Sequence, residues 1–523
     1  MQTTQASFSK LRNFLWPIHG HEHKKLLPML ALFFLISFVY NLLRCMKVTL
    51  VVTPEGSGAE VIPFLKVWAV LPGAVLITYL YTKLSNHLSR EQVFYTMLSL
   101  FIGFFTVFLL VLYPNREALE LTAFADFLQT KLPEGFKGLI AIIRRWPLSL
   151  FYVLSELWSA VVLSMLFWGF ANEITSVNEA KRFYAIFALG ANFSGIFSGQ
   201  SAQFLTLQEY NPNLPFGHAA WEQSLALQLG VVLLLGVVIV FLFRYVSRAS
   251  DTRILAENAL LNPSVKAVQE ERPKFSLLEC FSYLLKSRYM LYITILVVAY
   301  NIVYNLSDVL WTDQIRQRYP EASDFNAYIN EIASVTGIFA TLSGLILSGN
   351  VIRRYGWTVT ALLTPIIWLV TSVGFFACML FENNMTFSDL LYAIFHIPIA
   401  NLILMFGSAQ ICLGRSAKYT VFDETKEIAF IPLPKDEQRK GKAVVDGIAS
   451  RFGKSGGSML IQLLLITCGD LLFTIPYIAV IFLVVISLWL LAVTRLGKLV
   501  TQAIDTEPTP PAPIQEKLKL STV

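Results

Sequence analysis

Apolar residues run along this chain in long blocks, not in the alternating or amphipathic stripes of a soluble fold. Runs long enough to cross ~30 Å of hydrocarbon fall at 26–44, 62–83, 92–113, 148–171, 183–206, 224–243, 289–311, 326–350, 358–381, 387–411, 443–467 and 473–495. Each predicts a membrane-spanning helix, because a helix satisfies its own backbone polar groups in lipid. Span five, ALGANFSGIFSGQSAQF, is small and polar, and span eleven is more so. Both read as helices of the bundle interior, where small residues let neighbouring backbones approach.

The runs form two groups of six. Residues 244–288 are charged and polar and read as a cytoplasmic linker. They would join an N-terminal six-helix bundle, 26–243, to a C-terminal one, 289–495. Residues 1–25 mix Leu11, Phe14, Leu15 and Trp16 with Lys10, Arg12, Lys24 and Lys25, which suits a cytoplasmic or interfacial segment. Residues 496–523, with TEPTPPAP, read as a disordered cytoplasmic tail. The halves echo one another. Tyr40-Asn41 matches Tyr300-Asn301, and Lys181…Ser194-Gly195 matches Lys442…Ser455-Gly456, at nearly equal offsets. That spacing predicts a duplicated transporter.

Composition agrees. Of 523 residues, 55% are hydrophobic and only 15% charged, with mean hydropathy +0.58; a soluble domain is about a quarter charged. Loops 207–223, 382–386 and 468–472 contain no Lys or Arg, and the positive-inside rule puts both termini in the cytoplasm. The first apolar run exceeds a signal-peptide core and no A-x-A site follows, so no cleavable signal is expected. Five scattered cysteines without CxxC spacing predict free thiols.

Against this background, charges at bilayer depth stand out, since each costs ~3 kcal/mol to insert. Span one ends in NLLRCMK, placing Arg44 and Lys47 on one face. Span four holds Glu156, with Asn172 and Glu173 at its end, and span seven aligns Asn301, Asn305 and Asp308. Span eleven carries Arg451 and Lys454 among Ser450, Gly453, Ser455, Gly456, Gly457 and Ser458. By analogy with 6+6 bundles of the major-facilitator type, spans one, four, seven and ten line a central cavity. The cations Arg44, Lys47, Lys66, Arg451 and Lys454 outnumber Glu156, Asp308 and Asp446. A surplus of positive charge suits a polyanion such as a phosphate ester. The alternative is that pairs such as Arg44 with Glu156 or Asp308 only lock the bundle, while Lys66 snorkels to the interface.

Phe167, Trp168 and Phe170 form either an aromatic belt or a platform for a nucleobase. His19, His21 and His23 either bind metal or, as expected here, make a polar juxtamembrane surface; no metal and no cofactor is assigned. A phosphate loop fails: Gly447-IASRF-Gly453-Lys454-Ser455 has one residue too many between its glycines and lies on a membrane helix. No soluble segment is large enough for hydrolysis, which leaves exchange or an ion gradient as the driving force. A membrane-embedded enzyme acting on lipid phosphates is a distant rival. It needs a His or carboxylate pair beside the cations, and spans four, seven and eleven hold no His.

The segments LRCMKVTLVVTPEGSGAEVIPFLK, YVLSELWSAVVLSMLFWGFANEIT, EAKRFYAIF, YTVFDETKEIAFIPL and KGKAVVDGIASRFGKSGGS resemble the ATP/ADP translocase family of obligate intracellular bacteria and plastids, most of all its chlamydial members. The resemblance spans nearly all twelve helices. It implies an all-α membrane protein with twelve transmembrane helices in a 6+6 pseudo-symmetric, major-facilitator-like bundle, in a bacterial inner membrane. It also implies a secondary transporter of nucleotides that is not an enzyme. The family's substrate-linked basic residues fall on Lys47 and Lys454, and its acidic ones on Glu156 and Asp308. Together with the charge pattern, this assigns the phosphates to Arg44, Lys47 and Lys454, supported by Arg451. Coupling or gating falls to Glu156 and Asp308, and base or sugar contacts to Phe170, Asn172 and Asn305.

Exchangers of that family read LRDTKD where this chain has LRCMKV, and NLVEVTWK where it has NLSDVLWTD. Three charges beside the cavity are thus replaced: Cys45, Val48 and Thr312 stand in their places. The resemblance is therefore closer to members that take up several nucleoside triphosphates with protons. The expectation is net import of ATP, GTP, UTP or CTP, with ATP/ADP exchange as the alternative. The expected partners are nucleotides, protons and membrane lipids, with no nucleic acid, and the expected state is a monomer.

Overall fold

The structure is a computed structural model that describes residues 18, 20–175, 177–260, 287–347 and 350–506. His19, most of the N-terminal segment, linker residues 261–286 and the 507–523 tail lie outside the described residues. The described residues are helical, with no strand. Twelve helices cross the bundle: α1 His23–Val52, α2 Val61–His87, α3 Arg90–Leu112, α4 Trp146–Ile174, α5 Val177–Leu205, α6 Ala220–Leu260, α7 Arg288–Arg318, α8 Ala322–Leu347, α9 Asn350–Leu380, α10 Ile399–Phe430, α11 443–468 and α12 Leu471–Thr506. Among the described residues, nine are long and apolar enough by themselves to cross a membrane. Of the other three, α5 and α11 are the spans whose sequence is small and polar, and α8 joins them.

Span ten differs from its predicted 387–411. Met385–Phe395 forms a short apolar helix of its own, ended by His396 in the left-handed region (φ 55°) and by Pro398. The crossing helix starts at Ile399 and continues past Ile411 through a charged stretch to Phe430. Burial of one face in the bundle carries this helix through residues that a hydropathy run excludes. The helical part of the expected linker also differs, since α6 runs on to Leu260.

Each half is built round aromatic side chains. Trp158 of α4 is fully buried, donates its indole N–H to Ile36 O of α1 (3.2 Å) and packs edge-on against Phe101. In the C-terminal half, Tyr300 of α7 meets Phe422 of α10 and Trp489 of α12, with ring centroids 5.2 and 6.1 Å apart.

Glycines set two close helix crossings. A Cβ on Gly453 would lie 3.1 Å from the Val298 backbone, and one on Gly457 3.1 Å from Asn305 Cβ, so α11 rests directly on α7. The Gly453–Gly457 spacing is the small-xxx-small pattern of close membrane crossings. Likewise a Cβ on Gly199 of α5 would meet Asn330 O of α8 at 2.6 Å. The α5–α8 and α2–α11 contacts bring the halves together near the end away from the termini. There Gln462 donates to Pro63 O (2.8 Å) and Arg316 to Val52 O (3.0 Å). We call this the far end.

Candidate binding site in the central cavity

The charged residues of α1, α2, α4, α7, α10 and α11 meet midway through the bundle. Glu156 is ten residues into α4 and Asp308 ten residues before the end of α7, so both lie roughly 15 Å from the far end. The Lys47 ammonium pairs with the Glu156 carboxylate and sits 4.7 Å from the Tyr152 ring centroid. Lys66 donates to Asn305 Oδ1 (2.6 Å) and lies 3.6 Å from Asp308 Oδ2. Tyr304 donates to Asp308 Oδ1 (3.2 Å). Asn305 then bridges outward, its Nδ2 donating to the backbone carbonyl of Lys454 (2.8 Å). One network thus ties α2, α7 and α11 together.

Several helices reach this level through π-helical turns: Leu65–Val70 with Lys66, Ser159–Phe167 just after Glu156, and Lys418–Phe422 on α10. An inserted residue re-aims the side chains around it, which is why such turns recur at functional sites.

The cations divide into two kinds. Lys47, Lys66 and Lys418 each have a carboxylate, the last being Asp423 at 2.9 Å. Among the described residues, Arg44, Arg451 and Lys454 have no ion-pair partner. Arg44 has Tyr304, Tyr40 and Asp308 as its electrostatic neighbours, and Lys454 has Lys418, Tyr419, Arg451 and Asp423. The Lys454 and Arg451 side chains are exposed.

The structure thus brings Arg44, Lys47, Glu156, Asn305, Asp308 and Lys454 together. Lys66 reaches Asn305 and Asp308 instead of extending to the lipid interface. Arg44 is not the partner of Glu156 or Asp308, because the two lysines take those carboxylates. Asp446 is occupied elsewhere, by Lys426 at 2.8 Å. Phe170 and Asn172 do not join the cluster. Phe170 is buried between Phe243 (5.0 Å) and the Arg90 guanidinium (5.0 Å), roughly 21 Å along α4 from Glu156. Asn172 accepts a 2.5 Å hydrogen bond from Tyr184 at the same end. Lys418, Asp423 and Tyr419 were missed, because the apolar run of span ten stops at Ile411. The repeat offset held a usable signal: it carries Glu156 to within two residues of Lys418.

A cavity of about 660 Å³ opens at the far end between Tyr113, Arg116, Arg145, Trp221 and Arg316. Its arginines are engaged: Arg116 with Glu222 (2.7 Å), Arg145 with Glu120 (2.8 Å), and Arg316 with backbone carbonyls. Arg116 and Arg145 are thus neutralised by carboxylates, while Arg316 is held by neutral carbonyls and keeps its charge. Cys45, Cys378, Cys412 and Cys468 are free thiols, and Cys280 lies outside the described residues.

Twelve helices around a polar, charged interior define a multi-pass membrane protein of major-facilitator-like architecture. A bacterial homologue of the iron transporter ferroportin, solved in an inward-facing state, matches with TM-score 0.52 over 92% of this chain and 100% of its own, at 12% identity. The TLC ATP/ADP transporter model matches residues 1–500, and this chain belongs to that family. ADP,ATP carrier protein 1 of Chlamydia trachomatis serovar D is 44% identical over 95% of this chain and 93% of its own length. The chloroplastic ADP,ATP carrier protein 1 of Arabidopsis thaliana is 40% identical over 90% and 73%.

Proposed function

We propose that this protein carries nucleotides across the membrane by alternating access, with ATP and ADP among its substrates. The observation that carries the reading is the set of cations without an ion-pair partner among the described residues, Arg44 and Lys454 with Arg451, near Lys47 in the bundle. Their side chains would hold the phosphates, since cations at this depth are tolerated only with a partner or a water-filled path. The relatives named as ADP,ATP carriers support the same substrates. Asn305, which bridges Lys66 and the Lys454 backbone, would meet the ribose.

The paired lysines suggest how protons enter. Phosphates arriving at the cavity compete with Glu156 for Lys47 and with Asp308 for Lys66. A carboxylate freed of its lysine in a desolvated cavity takes up a proton. This supports net proton-coupled uptake of nucleoside triphosphates, as does the replacement of charges at Cys45, Val48 and Thr312. ATP/ADP exchange is the second reading, and the relatives' names favour it. The protein would work as a monomer in the inner membrane of an intracellular bacterium, termini in the cytoplasm, with the six-helix bundles 26–243 and 289–495 rocking about the site.

Uptake of labelled ATP, GTP, UTP and CTP into vesicles containing purified protein tests both readings. Collapse under an uncoupler and indifference to internal ADP is the expected result. Stimulation by internal ADP without dependence on a proton gradient would establish exchange, and no uptake of any nucleotide would overturn the transport reading itself.

A further inference from the structure

We infer that Tyr419 of α10 is the stacking platform for the nucleobase, a role that rests on the nucleotide reading above. The phosphate side of the cavity is rich in candidates, but the aromatic residue expected from sequence, Phe170, is buried away from it. Tyr419 has the properties that Phe170 lacks.

Tyr419 is 47% exposed although it lies within a crossing helix. Its neighbours put it on the inner side of the bundle. Tyr419 is an electrostatic neighbour of Tyr40 on α1, of Tyr300 and Tyr304 on α7, and of Lys454 on α11. A side chain turned to lipid would not have neighbours on three other cavity helices. The π-helical turn Lys418–Phe422 turns it inward. The Lys418 ammonium, fixed by Asp423, lies 4.7 Å from the Tyr419 ring centroid. That cation covers one face of the ring, so the exposed surface is the other face and the edge. Tyr300 is stacked on Phe422 (5.2 Å) and lies 6.2 Å from Tyr304 in near-parallel planes. These rings form an aromatic cluster between α7 and α10.

An aromatic face with no partner among the described residues, one residue from a paired lysine and beside Lys454, is built for a flat ring joined to an anion. Any base has a π-face, so this contact adds affinity for the base without selecting strongly among bases. Selection would come from hydrogen bonds at the base edge, for which the hydroxyls of Tyr40 on α1 and Tyr304 on α7 are candidates.

The test uses detergent-purified full-length protein with ATP and inorganic tripolyphosphate as probes. Tripolyphosphate has the charge without the base. Tyr419→Ala should weaken ATP binding roughly tenfold, in the range of one lost base–aromatic stack, and leave tripolyphosphate binding unchanged. Tyr419→Phe and Tyr419→Trp should restore ATP binding, because the face is kept. Equal loss for both probes in Tyr419→Ala would overturn the inference and make Tyr419 a support of the phosphate site. Unchanged ATP binding would overturn it too. Failure of the wild-type protein to bind either probe would instead sink the nucleotide reading on which it rests.

Discussion

At the scale of single residues, pairing decides which cations are available to a substrate. Lys47 is buried and matched to Glu156, whose side chain is 34% exposed to the cavity. Removing Lys47 leaves a partly solvated carboxylate, so the stability cost falls below the ~3–5 kcal/mol of breaking a fully buried pair. The functional cost is larger. Lys47→Ala should reduce ATP affinity at least about tenfold, the loss of one charge-assisted hydrogen bond, in equilibrium binding. Glu156→Gln should keep ATP binding and lose the proton dependence of uptake; retention of that dependence would remove Glu156 from the coupling role. Outside the membrane, burial beside Asp470 raises the Glu60 carboxyl above its usual range, against the pull of Lys137 and Arg316. A raised folded-state value means stability is greatest below the unfolded value near pH ~4.3 and is lost as pH rises through the folded value. Glu60→Gln should therefore raise the melting temperature at pH 7 and have little effect at pH 4.

At the scale of helices, the legible elements were those whose function did not disturb their hydropathy. The cavity helices α1, α4 and α7 announced themselves as apolar runs interrupted by Arg44, Lys47, Glu156 and Asp308. The glycines of α11 announced a close crossing, and Gly453 and Gly457 do rest on α7. What was not legible was α10. Its cavity-facing half reads RSAKYTVFDETKEIAF, which hydropathy assigns to a loop, and only packing against α7, α8 and α9 makes it a membrane helix. The same override hid Lys66: its position near a span end allowed a snorkelling geometry, and contact with Asn305 decided otherwise. Gly453→Leu should separate α11 from α7, break the Asn305–Lys454 bridge and lower both thermal stability and ATP affinity. Gly456→Ala is the control, since a Cβ there meets nothing within 4 Å.

For the molecule as a whole, the contacts that join the halves gather at the far end. Their centre is Asn326 of α8, which donates to Thr49 of α1 (3.0 Å) and accepts from Gln228 of α6 (3.0 Å), all three fully buried. Asn330 donates to the same Asn326 side-chain oxygen (3.0 Å). Such a buried network couples its members, which suits a seal that opens as a unit. Asn326→Ala would remove its hydrogen bonds to Thr49 and from Gln228, each worth about 0.5–1.5 kcal/mol net, and bias the protein toward opening there. With Cys468 replaced by Ser, labelling of the buried Cys45 by a membrane-impermeant maleimide from the far side should rise in Asn326→Ala. Unchanged labelling would show that the network is packing and not a seal.

The central claim is that the unpaired cations of the cavity hold the phosphates of a transported nucleotide. Its most direct test is uptake of labelled ATP by wild-type, Arg44→Ala and Lys454→Ala proteins in vesicles, each reconstituted in equal amount and checked for folding by its melting temperature. Saturable uptake by the wild type, with the Michaelis constant raised at least about tenfold in each variant, is the predicted result. Well-folded variants that take up ATP with wild-type constants would contradict it.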